Sequence, residues 1–297
     1  MKSRADYIRS RLQEVSGNIR ATWRTAQNLL HSRQRVVHDV AECADLVNKF
    51  SDFFTDKVRR IRDNISVALE QSTHRLFATI PHIGPQLATF QPVAVNEVRK
   101  LLTSIPCKTS PLDVLPCSLL KDCADVFAPV ITRLVNMSLQ ARTFPARFKS
   151  AQMLPRLKKA GLDRSSPVNY RSISNLSTVS KILERLVQTR LRPHVMSSAN
   201  FSQFQSTYRQ GHCTETALID VLDNVYTAPD VKQVTVLIGL DLSAAFDTVC
   251  HQTLLQRLET EFGMSGTALS FIESYLNSSS SSSSSKFLKW PKQHSYY

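Results

Sequence analysis

The sequence predicts an α+β fold that is mostly helical, with a few strands set among amphipathic helices. Three observations carry this expectation. Apolar residues recur at helical spacing through most of the stretch from residue 96 to residue 276. Two short runs, Ala151–Pro155 and Val234–Leu240, read instead as strands. Only seven glycines occur in 297 residues, far under the usual share of about 7%. No Gly-x-Gly-x-x-Gly or phosphate-loop pattern exists, so dinucleotide-binding and P-loop folds are excluded.

Taken in order, residues 1–75 are polar, basic and helical in pattern, with Leu29, Leu30, Leu46, Val47, Phe50, Phe53 and Phe54 as sparse apolar anchors. Residues 76–92 hold Pro81, Gly84, Pro85 and Pro92 and read as a linker. From Asn96 the apolar positions 98, 101, 102 and 105 form a helical stripe. A second helical run, Leu119–Leu139, carries Val126, Val130, Leu134 and Met137 as its expected inner stripe. Asn175–Val195 is the strongest helix, with Leu176, Val179, Ile182, Leu183, Leu186, Val187 and Leu191 on the buried side. Thr214–Tyr226 opens at a Thr N-cap with Glu215 in the first turn, where the helix dipole favours an anion. Helices near Gln252–Phe262 and Thr267–Leu276 follow the Val234–Leu240 strand. Eight serines, 278–285, end all periodicity, and 277–297 is expected to be a disordered tail.

Formal net charge is +13, with a pI near 9.7, which points to a polyanionic partner. Ala141–Gln210 holds 13 Lys/Arg against Asp163 and Glu184, or +11, so these 70 residues carry most of the excess. A merely solubilising face would mix the signs. No apolar run approaches the roughly 18 residues that span a bilayer, and an intracellular protein, nuclear or cytoplasmic, is expected. The six cysteines lack any Cys-x-x-Cys pair and read as reduced thiols rather than zinc ligands.

The densest chemical signal is Val234-Thr-Val-Leu-Ile-Gly-Leu-Asp-Leu-Ser-Ala-Ala-Phe-Asp-Thr-Val249. It reads as a fully buried strand ending on Asp241. Such a carboxylate is costly unless a divalent cation offsets its desolvation or it caps the turn that follows.

Four stretches together give the chain a family likeness. They are Leu154-Pro-Arg-Leu-Lys-Lys159; Asn169-Tyr-Arg-Ser-Ile-Ser-Asn-Leu176 with Ser180-Lys-Ile-Leu-Glu184; Gln205–Leu218; and Leu240–His251. In this order and spacing they resemble the reverse transcriptase of LINE-type (non-LTR) retrotransposons across roughly residues 90–276. The resemblance implies the fingers and partial palm of a right-hand polymerase at 93–276, preceded by a helical connector. It implies that Asp241, with the Leu242 carbonyl, grips catalytic Mg²⁺, and that Phe246 lies beneath the incoming sugar. It places Lys158, Lys159 and Arg171 in the fingers, with Arg171 on the triphosphate, and Arg209 near template and nucleotide. The implied partners are an RNA template, a DNA primer and dNTP, with no membrane. A planar guanidinium suits bidentate phosphate contact, which fits Arg171 independently of the likeness.

Ser172, Thr207-Tyr208 and Cys213 depart from the family's usual Pro, Gly-Phe and Ser. The larger departure concerns carboxylates. Two-metal catalysis draws on further acids, in this family from an Asp-Asp hairpin, and no Asp-Asp dipeptide occurs in the 297 residues. The expectation is therefore a C-terminally truncated RNA-directed DNA polymerase, inactive by itself. The alternative is a non-catalytic basic RNA/DNA-binding remnant. A ribonuclease-H-like nuclease would need acids on neighbouring strands, whereas Glu259, Glu261 and Glu273 fall on expected helices.

Overall fold

A computed structural model describes residues 4–15, 17–18, 20–22, 25, 40–71, 81–106, 110–230, 232–242 and 244–277. The expected tail beyond Asn277, the first part of the linker and the anchors Leu29 and Leu30 lie outside the described residues. The chain divides into two compact units, Met1–Phe50 and Ser51–Tyr297. The first contains α1 (Arg4–Gln13) and the start of α2 (Val40–Gln71). Phe50 is buried there and Val47 is exposed.

In the second unit the rest of α2 is followed by α3 (Val95–Ser104), α4 (Cys117–Asp122), α5 (Ala124–Gln140) and the single turn α6 (Ala146–Lys149). Next come β1 (Ala151–Leu157), β2 (Tyr170–Leu176), α7 (Thr178–Ser197), α8 (Thr214–Asp230), α9 (His251–Thr260) and α10 (Gly266–Leu276). The fold is mostly helical, with a two-stranded antiparallel sheet of β1 and β2.

The core is helix on helix. Val98, Leu102 and Ile105 of the α3 stripe are buried as expected, against Ala128, Ile131 and Val135 of α5 and Leu183, Leu186 and Leu191 of α7. On α5 the buried side is not the expected one. Of the expected stripe Val126, Val130 and Met137 are exposed and only Leu134 is half-buried against the core, while Ala124, Ala128, Ile131, Val135 and Leu139 face inward. The helix is apolar on two sides, and the small Ala124 and Ala128 allow the close approach of α3. The run read as one helix also breaks at Cys123, which ends α4 and begins α5.

α7 starts three residues later than the periodicity suggests, because Asn175 and Leu176 belong to β2. Its N-terminus is capped twice. The Ser177 hydroxyl accepts from Ser180 N at 3.2 Å, and the Asp113 carboxylate accepts from Thr178 N at 2.5 Å and Thr178 Oγ1 at 2.7 Å.

Phe271 of α10 is buried between Phe90 and Phe144, with ring centroids 5.9 and 6.0 Å away, and Tyr275 stacks edge-on to Phe144 at 4.7 Å. Lys149 closes the same end of α10 by donating to the carbonyls of Ser274 and Asn277, a favourable place for a cation at a helix C-terminus.

The latter part of the expected linker is fastened along its length. His82 N donates to Thr260 O and Leu87 N to Gly263 O, both at 2.9 Å; Ser265 N and Ala268 N donate back to Leu87 O and Ala88 O. Asn136 pairs with both backbone groups of Val93, and Arg190 donates to the carbonyls of Gln91 and Pro92. Gly263, at φ +64°, faces the His82 ring so closely that a Cβ would sit 2.2 Å from its Cδ2.

The largest departure is Val234–Leu240. It forms no strand; the chain from 233 to 242 is irregular and exposed on every residue. α8 before it likewise buries no residue. A strand buried on both faces needs paired neighbours and two covering layers. Among the described residues β1 and β2 pair only with each other, and the helical core is already closed without this segment.

Two stability measurements check this packing. Gly263→Ala should lower stability by about 1–3 kcal/mol through an unfavourable φ and the His82 collision, read as a lower thermal midpoint. Glu184 of α7 accepts from the Tyr275 hydroxyl at 2.8 Å. Burial pushes its carboxyl up to about 7, against smaller opposing effects of Tyr275 and Lys181. An acid whose folded pKa is raised keeps its proton in the fold after the unfolded chain has lost it. Stability should therefore fall as pH rises from about 4.5 to about 7, by an amount on the order of 1–3 kcal/mol. Glu184→Gln should flatten that slope in pH-dependent melts.

Candidate functional site

Apart from Asp241 and Leu242, the residues singled out by motif fall into two clusters. The first is the β1–β2 hairpin. Its register sets Arg156 directly opposite Arg171, and both side chains are exposed. Side chains so paired have Cβ atoms about 4.5–5.5 Å apart, and like charges there are destabilising. No ion pair or hydrogen bond to either guanidinium occurs among the described residues. The loop that joins the strands is held by its own polar groups. Lys158 N donates to Asn169 O at 2.8 Å and Lys158 Nζ to Val168 O at 2.7 Å. The Asp163 carboxylate accepts from Ser165 N and Oγ, and Tyr170 OH donates to Arg164 O. Lys158 is thus a clamp on the loop as well as a cation, whereas Lys159 is exposed beside it. Arg156, Lys158, Lys159 and Arg171, with Arg164 in the loop, give one short hairpin five positive charges against the single acid Asp163. Two uncompensated guanidinium groups facing across a strand pair suit an anion with several oxygens.

Arg156 escaped the sequence reading. Its significance lies in the register, and the region of β2 was read partly as the start of a helix, so no strand pairing was expected there.

The second cluster joins the two later motifs. Tyr208 and Phe246 meet edge to face, with ring centroids 6.3 Å apart. Tyr208 adopts φ +65°, uncommon for a side chain of its size, and Arg192 of α7 holds its carbonyl at 2.8 Å. Arg209 does not point free; its Nη1 donates to Gln203 O at 2.8 Å. Gly211 has φ +77°, and nothing lies within 4 Å of where its Cβ would be. The turn that carries Phe246 is built on the Ala244 carbonyl, which accepts from Asp247 N and Thr248 N. Arg62 of α2 donates to Asp247 O at 3.0 Å, so the helix read as a connector reaches this turn. Burial first, and then the Arg62 charge, hold the nearby His251 below its ordinary pKa.

Asp241 stands at the end of the exposed 234–240 segment instead of at the end of a buried strand, and it is exposed with Leu242. Among the described residues no group of three His, Cys, Asp or Glu could hold a metal ion. One solvated carboxylate and one carbonyl do not fit a pair of Mg²⁺ ions, which need several oxygen ligands fixed at close range. No helix among the described residues is long and apolar enough to cross a membrane.

Residues 157–295 match the family model of reverse transcriptase (RNA-dependent DNA polymerase). A probable RNA-directed DNA polymerase from transposon BS of Drosophila melanogaster is 31% identical over 201 residues, which is 64% of this chain and 22% of that protein. The RNA-directed DNA polymerase from mobile element jockey of the same species is 32% identical over 174 residues, covering 57% of this chain and 19% of that protein. A Pol polyprotein from the type-1 retrotransposable element R1 of Bradysia coprophila is 31% identical over 137 residues, 44% of this chain and 13% of that protein. The chain spans about a fifth of the length of the first two of these relatives. Over these stretches the chain is similar to reverse transcriptases of the LINE (non-LTR) type.

Proposed function

We propose that this chain is the fingers and first palm segment of an RNA-directed DNA polymerase lineage, and that it grips nucleic acid and nucleotide phosphate without transferring nucleotides by itself. The observation that carries the reading is the Arg156–Arg171 pair on the hairpin between two family motifs. Like charges that face each other and lack internal partners are costly in the free protein, and an anion shared between them removes that cost. In this reading Arg171 and Arg156 take the phosphates of an incoming dNTP. Lys158 fixes the loop while adding charge, and Lys159 contacts the nucleic-acid backbone. Arg209, tied to Gln203, shapes the loop whose Tyr208 meets Phe246, and that aromatic pair is a surface for a sugar or base. The RNA template and DNA primer follow the +11 segment, whose contacts with phosphate carry no base information.

Nucleotidyl transfer is a different matter. Reverse transcriptases generally work with divalent metals, but Asp241 and Leu242 alone are not a two-metal donor set. Phosphoryl transfer depends almost entirely on positioning and charge stabilisation, so an incomplete carboxylate set removes the chemistry and leaves the grip.

Two outcomes test this. The purified 297-residue chain should show no Mg²⁺-dependent extension of an oligo(dT) primer on poly(A). Extension that Asp241→Ala abolishes would overturn the proposal. Single-stranded RNA should bind with a steep salt dependence, and changing Lys158, Lys159 and Arg171 together to Gln should reduce the slope of log affinity against log salt by roughly two to three contacts' worth.

A separate experiment addresses the hairpin pair. Arg171→Gln should weaken binding of inorganic triphosphate while leaving the thermal midpoint unchanged or raised, because it relieves a like-charge contact worth about 0.2–1 kcal/mol. A loss of stability with unchanged triphosphate binding would show instead that Arg171 serves the fold.

A further inference from the structure

The exposed segment between α8 and the Phe246 turn has a property its composition alone does not reveal. In extended chain, alternate residues share a face. The even-numbered face is Val234, Val236, Ile238 and Leu240, with 92, 78, 75 and 90% of their surfaces exposed. The odd-numbered face, Thr235, Leu237 and Gly239, is weaker. Four large apolar side chains on one face of a β-prone, uncharged run mark an interaction surface. α8 presents a second unpartnered apolar stripe, with Leu218, Leu222 and Tyr226 at helical spacing and all exposed.

We propose that Val234–Leu240 pairs antiparallel with the same segment of a second copy of this chain, making a two-fold ribbon whose apolar face is covered by α8. Charge and symmetry favour a second copy as the occupant. The chain carries +13, so two copies repel over most of their surface, yet 234–240 contains no charged residue. Lys232 and Asp241 flank the segment at opposite ends. Antiparallel pairing brings the Lys232 end of one copy to the Asp241 end of the other, whereas parallel pairing would set like against like. A two-fold axis perpendicular to the ribbon also maps each face onto itself. Every register it permits therefore pairs even with even positions, and the two apolar faces become one. A bare two-stranded ribbon is marginal in water, so the stripe of α8, joined to the segment by a short turn, has a defined role as its cover.

The test is sedimentation of the purified chain over a wide concentration range, with amide hydrogen exchange on the same samples. A dimer is expected, with amides of 234–240 gaining protection as concentration rises. Val236→Lys combined with Ile238→Lys should yield a monomer with unchanged helical circular dichroism, since neither side chain packs in the fold. Val130→Lys, on the exposed side of α5, should leave the dimer intact. A monomeric wild-type chain, association that survives the double substitution, growth beyond the dimer, or exchange in 234–240 that ignores concentration would each overturn the proposal.

Discussion

Phe271 is the constraint on which the folded part of this chain depends. It lies near the end of the described sequence, yet its ring sits between Phe90, which enters from the segment before α3, and Phe144, from the turn after α5. Two stretches distant in sequence therefore converge on one helix. Such contacts exact a large loop-closure entropy before they return anything, so the polar fastenings around them matter. Phe144 N donates to Ser274 Oγ, Lys149 holds the last carbonyls of α10, and Tyr275 reaches Glu184 of α7. Segment 82–93 has almost no regular structure, but its backbone groups are paired with α9–α10, Asn136 and Arg190. Without α10 and the turn that leads into it, Leu87 and Ala88 would lose their backbone partners.

What could be read from the sequence follows from which interactions are local. The α3 stripe, the interior of α7 and the two last helices were legible because 3.6-residue periodicity reports the buried side directly. α5 was not, since it is apolar on two sides and period alone cannot choose between Val126–Val130–Met137 and Ala124–Ala128–Ile131. The choice belongs to α3, whose approach needs the small residues. The strand β2 was missed for a related reason: its alternation is weak, and a strong helix begins immediately after it. The prolines and Gly84 of 76–92 read as a linker, but nothing local says that such a segment will be pinned along its length.

The candidate site divides the same way. Motif residues were legible as a set, yet which of them meet was not. Tyr208 and Phe246 come together through a positive-φ residue and an arginine from α7, and neither is visible in a linear pattern. Arg156 became interesting only through its partner across the hairpin. Conversely, Arg209 and Lys158 proved to be committed partly to carbonyls of their own loops, which changes their meaning from free cations to charged clamps.

The fate of Val234–Leu240 shows most plainly where sequence reasoning meets its physical limit. The run has the composition of a buried strand, and composition states a demand rather than a location. Burial of both faces requires neighbours that supply backbone partners and covering layers, and none of the described residues does so. The chain resolves this by leaving the segment irregular and exposed to solvent, next to an α8 that also buries nothing. The free energy forgone is that of four large side chains on one face, each worth about 1.5–3 kcal/mol when fully buried. Against this stands the entropy of ordering the segment, about 1–2 kcal/mol per residue for the backbone. The two are of similar size, so the segment does not order by itself. A small additional gain, from strand pairing and a covering helix, is enough to decide its state. For the same reason the carboxylate it carries, Asp241, is held in place only when something outside the segment orders the strand.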